Sequence, residues 1–121
     1  SSNRILVAGL TCAENTANYV SQLAEIEQIR TVNIIASHPS DDDDTACAEY
    51  IKGIITGSMS PSREETTERI RGSDGARKFL DSNNADFREQ DFQKCLEEVS
   101  SNFVMLVDKS DTPPSIKKEI I

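Results

Sequence analysis

The distribution of apolar residues predicts alternating strands and helices in the first half of the chain. Residues 4–9, RILVAG, form a continuous apolar run that ends in Gly, which is typical of a strand buried on both faces. Apolar residues then recur at helical spacing over residues 13–24. A second apolar run, TVNIIA at 31–36, precedes a second helical stripe over about 42–57. This β-α-β-α order predicts a parallel sheet covered by helices.

The following segment contains more residues that interrupt regular structure. Residues 57–73 are rich in Ser, Thr, Gly and charge, and Pro61 prevents a continuous helix, so we predict a mobile connection with a short helix near 63–70. Further along, the pattern predicts a helix near 74–81, a helix near 87–99 and a strand at 103–107.

These elements predict a single domain followed by a tail. A chain of 121 residues is long enough for one ordinary core and too short for two. We therefore expect one α/β domain over residues 1–109, with a three-layer αβα architecture and a mainly parallel sheet, as one half of a larger fold. Adjacent prolines at 113 and 114 stop regular structure, so residues 110–121 are expected to form a C-terminal tail.

Composition and charge exclude several classes of function. The formal net charge of -8 repels nucleic acid and acidic membrane surfaces, and no segment approaches the roughly 20 apolar residues of a membrane helix. Cys12, Cys47 and Cys95 are widely spaced and form no CxxC pair, which argues against a disulfide framework or a zinc site. We expect a cytoplasmic protein that binds neither nucleic acid nor membranes. A monomer and a homo-oligomer are both compatible with the sequence.

Four consecutive aspartates, residues 41–44, lie at the predicted junction of the second strand and the second helix. Ser40 is a suitable N-cap, and acidic side chains in a first turn are favoured by about 0.3–1 kcal/mol each. Four carboxylates exceed what a cap requires, and ligands commonly bind beyond the carboxyl ends of parallel strands. Because Mg²⁺ typically takes one or two carboxylates, Asp43 and Asp44 are candidate ligands. An acidic helix start and a Mg²⁺ site both remain open.

His38 lies at the same predicted strand end and is a candidate general acid or base, because its ordinary pKa suits proton transfer near neutral pH. An ordinary turn histidine is the alternative. No second His is available to support either a metal site or a paired mechanism.

Several stretches resemble the 2-phosphosulfolactate phosphatase family, specifically its C-terminal half. VAGLTCAENTANYV at 7–20 resembles that family's strand, small-residue turn and Ala-rich helix. DDTACA at 43–48 resembles its Glu-Asp-x-x-Cys-Ala-Gly motif. Within residues 75–95, six positions match a spaced family pattern: Gly75, Arg77, Leu80, Asn84, Asp91 and Cys95.

The resemblance implies a Mg²⁺-dependent phosphatase acting on a small phosphorylated acid. It places Asp43 and Asp44 at the metal and in the catalytic site, and Arg77 at the anionic substrate, with a surface ion pair as the alternative for Arg77. The family's N-terminal half is not in this chain, so the expected activity is that of a phosphatase-like hydrolase supplied with that half.

The sequence also departs from the family pattern. ASHPSD at 36–41 lacks the family's glycines, and Glu49 replaces a Gly. The alternative function is therefore a non-catalytic α/β domain for interaction or oligomerisation. A receiver-like signalling domain is disfavoured, because no Asp pair follows the first strand.

Overall fold

The computed structural model describes residues 4–37, 42–73, 94, 97 and 102–120. Within them the chain forms three α-helices, a short 3-10 turn at Leu10–Cys12 and a three-stranded sheet. The elements in chain order are β1 (Leu6–Val7), α1 (Ala13–Glu27), α2 (Asp42–Thr56), α3 (Arg63–Arg71), β2 (Phe103–Asp108) and β3 (Ser115–Ile120).

The sheet is antiparallel, so the prediction of a three-layer fold with a mainly parallel sheet is wrong. β2 lies in the centre, with Leu6 of β1 opposite Leu106 and Ile120 of β3 opposite Phe103. Residues 109–114 join β2 directly to β3, and a connection this short links antiparallel neighbours, whereas parallel strands need a crossover of a dozen or more residues.

The predicted strand at 31–36 is absent. The β-α-β-α order from which the parallel sheet was predicted is therefore not present in the structure. These residues have no regular structure. Ile34 packs against the helical core, whereas Ile35 is 85% exposed. The apolar run therefore serves as a partly packed connection between α1 and α2, and β1 pairs with β2 instead.

The local helix predictions are confirmed. α1 and α2 occupy the two predicted stripes, and α1 ends where Gln28 adopts a left-handed conformation with φ 53°. α3 confirms the short helix near 63–70. It begins with a capping box: the Glu65 backbone N–H donates a hydrogen bond to the Ser62 hydroxyl oxygen, and the Ser62 backbone N–H donates one to the Glu65 carboxylate. The predicted helix near 74–81 lies outside the described residues, and so does the one near 87–99 except for Lys94 and Glu97.

The helices form the main core, and α1 also packs on β2. α1 contacts α2, and α2 contacts α3. Alanines at three helix contacts are almost fully buried, which allows α1 and α2 to approach closely. The core residues are Leu10, Ala13, Ala17, Ala46, Tyr50, Ile51 and Ile70.

The segment assigned to a C-terminal tail contains strand β3. Its Lys117 ammonium lies 2.9 Å from the Asp108 carboxylate of β2, within the hairpin. None of the helices in the part of the chain that the structure describes combines the length and apolar character needed to cross a membrane.

Candidate functional site

The first turn of α2 contains Asp42, Asp43 and Asp44. The Asp42 carboxylate forms an ion pair with an arginine of α3. Arg69 Nε lies 2.9 Å from both carboxylate oxygens of Asp42, and Arg69 Nη2 lies 2.6 Å from Oδ1. These hydrogen bonds lower the pKa of Asp42 and raise the pKa of Arg69. Arg69 Nη1 also donates to Glu49 at 2.5 Å. Asp42 therefore joins α2 to α3.

Asp43 and Asp44 are half-buried and are positioned by local hydrogen bonds. The Ser37 hydroxyl donates to Asp44 Oδ2 at 3.0 Å, and the Asp44 backbone N–H donates to Asp43 Oδ1 at 3.0 Å. The first contact links the end of the connecting segment to the first turn of α2. The structure therefore distinguishes two aspartates with oriented carboxylates from a third held in an ion pair.

The donor chemistry of Asp43 and Asp44 fits Mg²⁺, which usually takes one or two carboxylates together with water and substrate phosphate. A protein cage is not formed by the described part of the chain, where no group of three or more His, Cys, Asp or Glu side chains is arranged to hold a metal ion. Any Mg²⁺ at this turn would rely on oxygen ligands beyond those two carboxylates.

The other predicted site residues lie outside the described residues. These are His38, in the segment before α2, and Arg77, beyond α3. The structure therefore places Asp43 and Asp44 side by side, and the roles assigned to His38 and Arg77 stay predictions.

A second polar cluster lies in the wall of an open cavity of ≈ 410 Å³, which is bordered by the three helices and the connection between α2 and α3. The Tyr50 hydroxyl donates to Glu14 Oε1 at 2.5 Å, and Arg63 Nη1 lies 3.8 Å from the same oxygen. Arg63 Nη2 donates to the Leu10 carbonyl at 3.2 Å, and the guanidinium carbon lies 5.8 Å from the Tyr50 ring centre. The cavity is lined by Glu14, Asn18, Tyr50, Ile54, Met59, Pro61, Ser62 and Arg63.

Electrostatics keep the phenol of this cluster protonated. Burial is the main cause that raises the pKa of Tyr50 to about 12, and the hydrogen bond to the Glu14 carboxylate adds to it. Tyr50 is therefore a hydrogen-bond donor at neutral pH and holds Glu14 at the cavity wall.

Sequence reasoning did not find the Glu14–Tyr50–Arg63 cluster. The available signal was slight: Tyr50 follows Ala46 by four residues on the buried stripe of α2, so its hydroxyl needed a partner. The three residues come from three different helices, and their meeting depends on packing that local patterns do not encode.

Comparison with known proteins identifies a relative that is about twice as long as this chain. No protein-family model matches this sequence, and no solved structure matches it. The chain is 43% identical over 117 residues to a Bacillus subtilis (strain 168) protein named "Probable 2-phosphosulfolactate phosphatase". The match covers 97% of this chain and 50% of the relative, so the chain spans about half the length of the curated relative it matches. The chain is therefore related, over nearly its whole length, to half of a protein named as a 2-phosphosulfolactate phosphatase, and the resemblance to that family indicated by its motifs is confirmed.

Proposed function

We propose that this chain is one part of a hydrolase that cleaves phosphomonoesters of small acids, of the kind named for its Bacillus subtilis relative. The observation that carries the proposal is the 43% identity extending over 97% of the chain. Because the match covers half of the relative, the proposed activity requires the remainder of the longer protein.

In this proposal Asp43 and Asp44 hold a Mg²⁺ ion. Both match acidic positions of the family motif, and Ser37 orients Asp44 through a 3.0 Å hydrogen bond. When bound, the ion would polarise a phosphoryl oxygen and offset the repulsion between the aspartates and an anionic substrate. Asp42 has a different role, because its carboxylate is paired with Arg69.

The test of metal binding uses the 121-residue chain and Mg²⁺ alone. We expect Mg²⁺ to shift backbone NMR signals locally at residues 42–47, and Asp44→Asn to weaken the apparent affinity at least about tenfold, as expected for loss of a charged ligand. Glu25→Gln is the matched control, because it removes one carboxylate from an exposed position of α1. Absence of local shifts, or an equal response in the Asp44→Asn variant, would overturn the Mg²⁺ assignment.

The test of catalysis uses a chimera in which this chain replaces the matched half of the Bacillus subtilis relative. The chimera is expected to release phosphate from 2-phosphosulfolactate in the presence of Mg²⁺. Asp43→Asn and Asp44→Asn are expected to lower the rate at least about 100-fold, while Glu25→Gln leaves it unchanged. A folded chimera without phosphate release would contradict the proposed activity.

The alternative of a non-catalytic interaction or oligomerisation domain is favoured by one observation, the exposed apolar side chains of the sheet. Ile116 is 57% exposed and Ile120 is 72% exposed. A domain of this kind would be indifferent to Mg²⁺ and would lose its partner when these residues are replaced, which distinguishes it from the enzyme.

A further inference from the structure

One face of the sheet is apolar and points away from α1. Directly opposed residues of antiparallel strands lie on the same side, so the register defines this face. The Val107 N–H donates to the Ile5 carbonyl at 3.0 Å, which extends the pairing of β1 by one residue. The outer sheet face consists of Ile5, Val7, Phe103, Met105, Val107, Ile116, Lys118 and Ile120.

The opposite face is covered by α1. Val104 of β2 is 0% exposed, and its neighbour on the same side, Glu119 of β3, accepts a 3.3 Å hydrogen bond from Tyr19 of α1. α1 packs on β2 from this side. The sheet thus has one face under a helix and one face of apolar side chains without such a cover in the described part of the chain.

The outer sheet face is made mostly of apolar residues of the types that proteins usually bury. Ile5 is 46% exposed and Val7 is 37% exposed, in addition to the two isoleucines of β3. β2, FVMLVD, is apolar on both sides over most of its length, which is typical of a strand covered on both faces. Phe103, Met105 and Val107 in the central strand are half-buried, and the exposed apolar residues on either side of them mark an interaction surface.

Lys118 is the charged residue of this face. Its ammonium lies 4.5 Å from the centre of the Phe103 ring, so the charge rests over an aromatic surface within the apolar patch. A partner that covered this face would have to supply an acidic group or leave a buried cation without a counter-charge. The outer sheet face therefore requires an apolar partner surface that also carries a carboxylate.

We propose that the outer sheet face is the docking surface for the half of the longer protein that this chain does not match. In the Bacillus subtilis relative the matched half accompanies an equal length of chain. An antiparallel sheet can leave a polar face in water, but an apolar face needs a second layer to bury it, and that layer is expected to be a helix with an apolar stripe and an acidic residue facing Lys118. The inference rests on the relationship to the longer protein and not on phosphatase activity.

A second copy of this chain fits the face less well. Two outer sheet faces in contact would bring two Lys118 side chains together, and the face itself contributes no carboxylate. Each copy also carries a net charge of -8, which opposes association. Self-association of this chain would depend on protein concentration, whereas docking of the unmatched half within one longer protein would not, so an experiment can distinguish them.

The test compares thiol labelling in the isolated 121-residue chain and in the chimera with the unmatched half of the relative. Ile116→Cys is placed on the outer sheet face, and Ile35→Cys is the matched control, since Ile35 is 85% exposed in the connection before α2. Labelling by a maleimide is followed at each site by peptide mass spectrometry. Cys12, which is buried, reports whether the helical core stays folded.

We expect Ile116→Cys to react at least about tenfold more slowly in the chimera than in the isolated chain, because reaction then requires opening of the interface. Ile35→Cys should react at similar rates in both. Equal labelling of Ile116→Cys in the two proteins would overturn the proposal. Slow labelling of Ile116→Cys in the isolated chain would also overturn the proposal. If this protection rises with protein concentration, a second copy covers the face. If it does not, another part of the same chain covers the face. Labelling is independent of phosphate release, so an inactive chimera with a protected Ile116→Cys would contradict the proposed activity alone.

Discussion

Tyr50 on α2 donates a 2.5 Å hydrogen bond to Glu14 on α1, so two helices that pack through buried alanines are also joined by a polar contact at the edge of a cavity. Arg63 brings the start of α3 to the same carboxylate and to the Leu10 carbonyl. Three helices therefore share one polar junction. This junction holds the packing around the cavity together.

Tyr50→Phe is expected to lower the free energy of unfolding by about 1 kcal/mol, because it removes a hydrogen bond at a buried position while keeping the ring. Urea denaturation of the 121-residue chain measures the effect. Tyr19→Phe is the control: its hydroxyl bonds the exposed Glu119 at 3.3 Å, so its loss should cost less than about half as much. Equal effects of the two substitutions would contradict a special role for the Tyr50 junction.

The same phenol predicts a loss of stability at high pH. Its pKa in the folded chain, about 12, lies above the ordinary value of 10.0, so folding favours the protonated form. The resulting stabilisation is complete below pH 10 and is lost as the pH rises toward 12. Urea midpoints measured across this range should fall in the native chain more steeply than in the Tyr50→Phe variant. Parallel pH profiles would show that Tyr50 is not the group responsible.

Gly53→Ala is expected to destabilise the fold by about 1–3 kcal/mol, the usual cost of forcing atoms into a packed site. A Cβ at this position of α2 would lie 2.5 Å from the Ser60 carbonyl oxygen, and a backbone atom cannot move aside as easily as a flexible side chain. Thermal and urea unfolding measure the cost. Gly9→Ala is the control, because its Cβ would meet no atom within 4 Å. A neutral Gly53→Ala would mean that the connection after α2 can shift at little cost.

Asp108 predicts acid sensitivity of the β2–β3 hairpin. Hydrogen bonds from Ser110, with a further contribution from Lys117, lower the pKa of Asp108 to about 2 from its ordinary value of 3.8. The stabilisation is present above about pH 4 and is lost as the pH falls toward 2. Amide hydrogen exchange across the hairpin should accelerate over this range in the native chain. In Asp108→Asn the exchange should already be faster at neutral pH and should depend less on acid.

The helices could be predicted from the sequence because their signals are local. The stripes of α1 and α2, and the Ser62 to Glu65 pattern that starts α3, each lie within a few turns of chain. Sheet direction could not be predicted in the same way, because an apolar run does not specify its partner. β1 pairs with a strand from the far end of the chain, and 31–36, which has the composition of a strand, joins no sheet.

The candidate site was predictable to a similar extent. The acidic turn was visible in the sequence, but only the structure separates Asp42, paired with Arg69, from Asp43 and Asp44. The family relationship was predictable from short motifs spread along the chain, since their order is preserved even where single matches are weak. The polar junction around Tyr50 was not, because it is assembled from three helices.

The pairing of β1 with β2 has a consequence for the order of events during synthesis. Leu106 is translated long after its partner Leu6, so β1 has no strand to pair with while α1, α2 and α3 are being made. The helical core, whose contacts are closer in sequence, can assemble on the nascent chain before the sheet closes. Until translation passes β2, the apolar segment around β1 lacks its partner strand and is open to chaperones and proteases.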